Sequence, residues 1–506
     1  MSGDVASSGP GAVPGDRVLW PFALRALSAT PRRAIATLVA AHFVFLALLP
    51  FLVSSAPPLD VVEGLVWGRE WLLGTHKLPP LPAWLIEVSL HITGSPILGP
   101  YLLSQICVAL TYFSVFATGC RLTTTTNALA GTLLLTGIVY FTWTTPEFNH
   151  NVIQMPIWAA AFLLFTIIRE DAGRPLPWLL LGALAGLGIY AKYSVVVLYA
   201  VLGLWLLLEG RMRRALLTPW PWAAGLLALA VAAPHVQWLV ANQFAPLDYV
   251  RARSANDGSV LPVLKWLLVQ AACHVPIVVL LLIAGRRAFL MLPEREDDRG
   301  TIAYVSFLAL APAIATALLA LVSGSRLQDM WGMPMFALSG LLVILLLGRG
   351  WSEALGRRLW IGAICVVAVV GIAFTVNIVV SRAIDQPIRN AWPMAEIAAK
   401  ARAAWSSQTQ AKLRIVSGDK WLAGLVAVGT PERPHIVYDG LPANTPWLDE
   451  ESLRADGVLY VWRGEEAPSY LIPSDVPIAA TDTFEVSGVS SKDRIVGYAI
   501  RLPAQP

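Results

Sequence analysis

Ala34-Ile-Ala-Thr-Leu-Val-Ala-Ala-His-Phe-Val-Phe-Leu-Ala-Leu-Leu-Pro-Phe-Leu-Val53 contains no acid, lysine or arginine. A helix of roughly twenty apolar residues is long enough to cross the hydrocarbon core of a bilayer. Arg17, Arg25, Arg32 and Arg33 precede the run, and Ser54-Ser55-Ala56 follows it. Small residues after an apolar run imitate a signal-peptide cleavage site. The run is too long for a typical signal core, so it reads as an uncleaved first span.

Further apolar runs lie near 97–119, 127–144, 152–168, 176–191, 193–208, 221–241, 263–284, 301–322, 332–348 and 359–380, the fifth and sixth spans meeting around Lys192. Over 506 residues the chain is 56% hydrophobic and only 14% charged, with a mean hydropathy of +0.62. Soluble domains carry nearer a quarter charged residues. The pattern predicts an α-helical polytopic membrane protein with about eleven transmembrane helices. A net charge of +4 does not point to nucleic acid, because the basic residues are spread through short loops between apolar runs. Cys107, Cys120, Cys273 and Cys365 all fall in or beside spans, so they read as small packing residues and exclude a disulfide framework in the C-terminal segment.

Charge asymmetry sets an expected orientation. With the N-terminus in the cytoplasm, the internal segments hold Arg17, Arg25, Arg32, Arg33, Arg121, Arg169, Arg174, Arg211, Arg213, Arg214, Arg286, Arg287, Arg295, Arg299, Arg349, Arg357 and Arg358. The opposite short loops hold Arg69, Lys77, Lys192, Arg251, Arg253, Lys265 and Arg326. That is roughly 17 against 7, and the positive-inside rule then places the C-terminus outside. The expected organisation is a cytoplasmic tail over 1–34, a transmembrane body over 35–384 and an external domain over 385–506. In this last segment short alternating runs predict strands at Arg414–Ser417, His435–Tyr438, Val458–Trp462, Thr483–Val486 and Ile495–Arg501. Helices are expected at Trp392–Ala404, Lys420–Val428 and Asp449–Ala455, which together describe a small soluble α/β domain. No internal repeat is present.

Polar outliers gather on the expected outer side, where an ionisable group near a membrane is costly and therefore a functional candidate. The first external segment runs through Pro57-Pro58-Leu59-Asp60-Val61-Val62-Glu63-Gly64 to Thr75-His76-Lys77-Leu78-Pro79-Pro80-Leu81. Its Trp-rich stretch from Val61 to Leu73 is too short to span and reads as an interfacial helix. Asp60 and Glu63 share one face of it; Asp60 can cap the helix, carry chemistry, or both. Glu147, Asn149 and His150 lie in the second external loop, which is also readable as an ordinary polar turn. Lys192 sits alone between two apolar runs, where it can break a hairpin or meet an anion. Arg251, Arg253 and Arg326 suit an anionic ligand, lipid phosphate or plain solvation. Carboxylates, lysines and arginines on one membrane face suit a reaction with a base and an anionic leaving group.

At these loops the chain resembles the GT-C superfamily of polyprenyl-phosphate-dependent glycosyltransferases. It is similar to the family-39 group of protein O-mannosyltransferases and aminoarabinose transferases. Within that group it is most like the bacterial transferases that place galacturonic acid on lipid A or the lipopolysaccharide core. The resemblance spans about Arg32 to Val380 and rests on Asp60 with Glu63, the following helix, His76-Lys77-Leu78-Pro79-Pro80-Leu81, the Asn149-His150-Asn151 turn and Lys192. The family commonly has a basic residue directly before Pro-Pro-Leu; here Leu78 stands there, so the phosphate role falls to His76 or Lys77.

The resemblance implies transfer of a sugar from a polyprenyl phosphate to a hydroxyl of an outer-leaflet glycolipid, with inversion. Asp60 and Glu63 would be the catalytic carboxylates, Asp60 as general base and Glu63 orienting the acceptor or a basic partner. His76, Lys77, Lys192, Arg251, Arg253 and Arg326 would hold the donor phosphate, and Glu147, Asn149 and His150 the acceptor or sugar. No cofactor or divalent metal is expected. The partners would be the lipid-linked donor, the glycolipid acceptor and membrane lipids, in the inner membrane with the C-terminal domain in the periplasm. A transporter or flippase of a lipid-linked sugar, an oligosaccharide ligase and a non-catalytic scaffold are the competing readings.

Overall fold

Thr30 caps the first helix by accepting a hydrogen bond from the Arg33 N–H. The helix continues from Pro31 to Val53, opening into a π turn over Val44–Leu48. That turn sits against Pro50, which has no N–H to offer the ladder. This is a computed structural model describing residues 30–255, 259–285, 299–347 and 353–504. Most of the expected tail, Arg17, Arg25, Arg286, Arg287, Arg295 and Arg349 of the charge count, and Asn256, Asp257 and Gly258 of the fourth loop lie outside the described residues.

Among the described residues seven helices are long and apolar enough to cross a membrane: Pro31–Val53, Leu98–Leu122, His150–Glu170, Trp220–Ala241, Leu261–Ala284, Arg299–Ser323 and Ala354–Ala383. Two bent pairs, Val195–Leu208 with Gly210–Leu217 and Asp329–Phe336 with Ser339–Leu347, raise the number to nine if each is one span. Pro175–Ala191 is a shorter apolar helix. The third expected run, 127–144, breaks: its helix is Thr125–Leu134, followed by 3-10 turns at Leu135–Gly137 and Val139–Phe141. Gly137 lies against the backbone of Ile277, so the chain turns where a side chain would not fit. The protein is thus a multi-pass membrane protein with a mostly helical body.

The His150–Glu170 helix is the central one. Of its most apolar stretch 78% is buried, against 22% for Trp220–Ala241 at the periphery. Trp158, Phe162 and Phe165 fill the core from it. Pro175–Ala191 packs on Trp220–Ala241 through Gly182, where an added Cβ would sit 2.2 Å from the Ala224 carbonyl oxygen. Small residues at such positions let membrane helices approach closely.

After Ala383 the chain builds a five-stranded sheet. The strands are β1 (Ile415–Gly418), β2 (His435–Tyr438), β3 (Val458–Arg463), β4 (Ala480–Glu485) and β5 (Ile495–Arg501), in the order β2-β1-β3-β5-β4. β1 is parallel to β2 and β3, and β5 is antiparallel to β3 and β4. The helices Met394–Gln408 and Leu422–Gly429 cover one face.

Two short helices join the body to this domain. Leu59–Arg69, here the acidic helix, carries Asp60 and Glu63 and packs on Leu81–Thr93. Its residues from Val61 to Gly68 are all buried. Val62, Val66 and Trp67 share one hydrophobic core with Ile397, Leu425, Ile436 and Leu459 of the C-terminal domain. Burial of such side chains contributes roughly 1.5–3 kcal/mol each. The fit is close: a Cβ on Gly424 would fall 2.4 Å from Val62 Cγ1.

Candidate active site

Pro57 and Pro58 make the chain enter the acidic helix in extended form, with Pro58 at the N-cap. Asp60 therefore lies in the first turn, where its charge favours the helix dipole, but no side chain on the helix itself caps it. The Glu147 carboxylate, from the turn before the central helix, lies close enough to feel both the Asp60 charge and the Asp60 backbone. Two carboxylates thereby meet at one helix start. Burial, then the neighbouring Glu63, raises Asp60 above the ordinary carboxylate range; Lys77, Arg389 and Lys192 oppose that shift. Burial and Asp60 push Glu147 up to about 7.

One turn along, Glu63 is 2% exposed and fully engaged. Lys77 Nζ donates to its Oε2 at 2.6 Å. Tyr438 Oη, at the end of β2, donates to its Oε1, and Lys420 Nζ lies 3.9 Å from the same oxygen. Burial works against the Lys77 charge, but Glu63 outweighs it and holds the ammonium above the usual lysine range. Lys77 also lies 5.8 Å from the Trp67 ring centre and 5.7 Å from that of Tyr249.

The loop that presents Lys77 is built locally. Thr75 Oγ1 accepts from the N–H groups of Lys77 and Leu78 and donates to the Leu78 carbonyl. His235 Nδ1 donates to the Leu73 carbonyl at 2.6 Å while its Nε2 accepts from Tyr193. His150 Nε2 is 3.1 Å from the Pro79 carbonyl oxygen. His76 packs edge-on against Trp67 and Tyr438, and its Nδ1 is buried without a partner. Burial, aided by Lys77, lowers its pKa.

Lys192 occupies the hairpin turn after Pro175–Ala191. It donates to Asn151 Oδ1 at 2.5 Å and lies 5.5 Å from the Trp331 ring centre. Burial brings it down to about 7, against the pull of Asp60. Below this turn an apolar cavity of about 710 Å³ opens between Pro175–Ala191, Val195–Leu208 and Trp220–Ala241. Ile189 and Val195, three residues either side of Lys192, line it.

Asp60, Glu63, Lys77, Glu147 and Lys192 thus form one electrostatic cluster. Other expected residues have different surroundings. Asn149 caps the central helix, accepting from Asn151 N and Val152 N, and His150 ties the loop in place. Arg251, expected at the phosphate, is exposed and paired with Asp248 at 3.0 Å on its own helix. Arg253 is near enough to help lower Lys192. Arg326 lines a polar cavity of about 350 Å³ with Lys265, Gln328 and Asp329. Sequence reasoning missed Arg389, Lys420 and Tyr438. Arg389 is carried to Asp60 by the segment after the last body helix, where Ser55 N–H donates to the Asn390 carbonyl and Asn390 Nδ2 to Tyr101 Oη.

Comparison with known proteins points the same way. Residues 77–238 match the family model described as dolichyl-phosphate-mannose-protein mannosyltransferase. Over 440 residues the chain is 24% identical to the lipopolysaccharide core galacturonosyltransferase RgtA of Rhizobium johnstonii, covering 85% of this chain and 86% of the relative. The crystal structure of ArnT from Cupriavidus metallidurans bound to undecaprenyl phosphate superposes with a TM-score of 0.51 at 13% identity, covering 93% of this chain and 99% of that one. Its apo form gives 0.50 with the same coverage. The fold is that of ArnT, and together with the sequence similarities it makes the chain a membrane glycosyltransferase.

Proposed function

We propose that the protein transfers a sugar from a polyprenyl monophosphate to a hydroxyl of a glycolipid, a lipid A or lipopolysaccharide core, with inversion at the anomeric carbon. The observation that carries this reading is the gathering of three carboxylates with Lys77 and Lys192, the latter in a turn whose neighbours Ile189 and Val195 line an apolar cavity of the helical body. The cavity suits the isoprenoid chain, and the lysines suit the phosphate at its end. That ArnT was crystallised with undecaprenyl phosphate supports such a donor. Galacturonic acid is the proposed sugar, in keeping with the similarity to RgtA.

Asp60 acts as general base. It removes the proton of the acceptor hydroxyl as that oxygen attacks the anomeric carbon. The bond from carbon to phosphate oxygen breaks on the opposite face, and its electron pair leaves with the phosphate. A phosphate leaving group needs no proton; Lys77 and Lys192 stabilise its growing charge. Glu63 holds Lys77 in place, and Glu147, beside Asp60, is the carboxylate that raises its neighbour's proton affinity or meets the sugar. These cations supply the charge stabilisation without a divalent metal. The proposed setting is an inner membrane, with the reaction centre and C-terminal domain in the periplasm.

The test is transfer by the purified protein in proteoliposomes, using galacturonic acid on a polyprenyl phosphate and a core glycolipid acceptor. The expected product is the acceptor one galacturonic acid heavier. Movement of the donor lipid between leaflets with no new glycosidic bond would instead mark a flippase.

A further inference from the structure

The C-terminal domain docks on the helix that carries the proposed base. Arg433 holds Glu87 through both guanidinium ends, at 2.7 and 2.8 Å, and donates to the Leu65 carbonyl at 3.1 Å. His435 Nδ1 donates to Glu70 at 2.5 Å, and its Nε2 accepts from Arg69. These contacts fix the domain against the acidic helix and its neighbour, but none touches the reacting groups. Tyr438 does more. Its backbone N–H donates to Thr445 Oγ1, its ring stacks on Trp67 at 5.5 Å and meets His76 edge-on at 5.3 Å. The ring is 2% exposed and its hydroxyl is directed at Glu63.

Glu63 is therefore held from two sides by two parts of the molecule. One oxygen takes the Lys77 ammonium from the body; the other takes the Tyr438 hydroxyl from the domain. A buried carboxylate with two charge-assisted bonds has little freedom. Loss of one lets it rotate and draws Lys77 from its place.

We propose that the C-terminal domain is a working part of the reaction centre, and that it acts through Tyr438, a positioning residue that fixes Glu63 and, through it, the Lys77 ammonium. This rests on the transferase reading above. A domain serving only for stability has no need to place a hydroxyl on that carboxylate.

The experiment compares full-length wild type, Tyr438→Phe and Arg433→Leu in the proteoliposome assay, with kcat and donor KM measured separately and the thermal midpoint recorded. Tyr438→Phe keeps the stacked ring and removes one hydrogen bond to a charged group, so kcat falls about 10- to 100-fold. Donor KM stays within about twofold and the midpoint is nearly unchanged, because the other contacts to Trp67 and His76 remain. Arg433→Leu loosens docking and lowers the midpoint. Unchanged kcat in Tyr438→Phe overturns the inference. So does a parallel loss of kcat, KM and midpoint like that of Arg433→Leu, since Tyr438 would then only hold the domain down. A wild type that makes no glycosidic bond overturns the transferase reading and this inference with it, whereas an active wild type beside an unaltered Tyr438→Phe overturns this inference alone.

Discussion

Both ends of the helical body carry ion pairs, but of opposite character. At the end away from the sheet domain, Arg121 meets Glu170 with the side chains 37% and 42% exposed, and Arg174 meets Asp171 on the next turn. These are solvated pairs at or beside helix ends, and Arg169 with Glu209, at 25% and 22%, is the half-buried one among them. At the sheet end Lys77 meets Glu63 with exposures of 13% and 2%, and Arg433, from the C-terminal domain, meets Glu87 at 26% and 2%. Exposed pairs contribute little stability, whereas breaking a buried one leaves an uncompensated charge. Charge at the first end is mostly solvated; at the second it is confined, and confined charge suits the proposed transfer of a sugar away from phosphate.

The comparison can be broken most severely at Asp60. Replacement by Asn should lower turnover by about 10²–10⁴-fold, the usual range for a lost general base, while the thermal midpoint holds. Next is Lys192→Met, expected to cut kcat/KM for the lipid donor about 10- to 100-fold and to leave acceptor KM near wild type; initial rates with each substrate varied in turn would check it. A pH profile sharpens the same point. Lys192, buried with a pKa of about 7, carries its charge below that pH and loses it above. Asp60 needs the opposite, since it works as a base only once deprotonated. Donor kcat/KM should therefore rise and then fall with pH, and Lys192→Arg should remove the fall. The smallest effect belongs to the other end: Arg121→Ala should shift stability by about 0.2–1 kcal/mol and leave transfer at the wild-type rate. A large loss of transfer there would dissolve the distinction between the ends.

Most of the helical body was legible because apolar runs of spanning length leave a signal that needs no tertiary context. The exception, 127–144, is uncharged and largely apolar but has its helix stopped by close packing of Gly137 on a neighbouring helix, which no local pattern records. The strands at His435–Tyr438 and Ile495–Arg501 form over the expected residues, since short apolar, β-branched and aromatic runs mark buried strands. In the site, Asp60, Glu63, Lys77 and Lys192 stood out as charges among apolar neighbours. Glu147 stood out less, and its closeness to Asp60 joins two loops far apart in the sequence. Arg389, Lys420 and Tyr438 carried no signal: an arginine after a span and a tyrosine ending a strand are commonplace until the fold brings them to Glu63 and Asp60. Arg251 shows the converse, a residue conspicuous in the sequence whose charge is spent on its own helix.

The most direct test of the central claim is mass spectrometry of lipid A and core from cells lacking this protein, complemented with wild type or with Asp60→Asn. The account predicts a glycolipid lighter by one sugar in the deletion, restored by wild type and not by a variant expressed at the same level. A glycolipid profile that does not change on deletion, or one that Asp60→Asn restores in full, would contradict it.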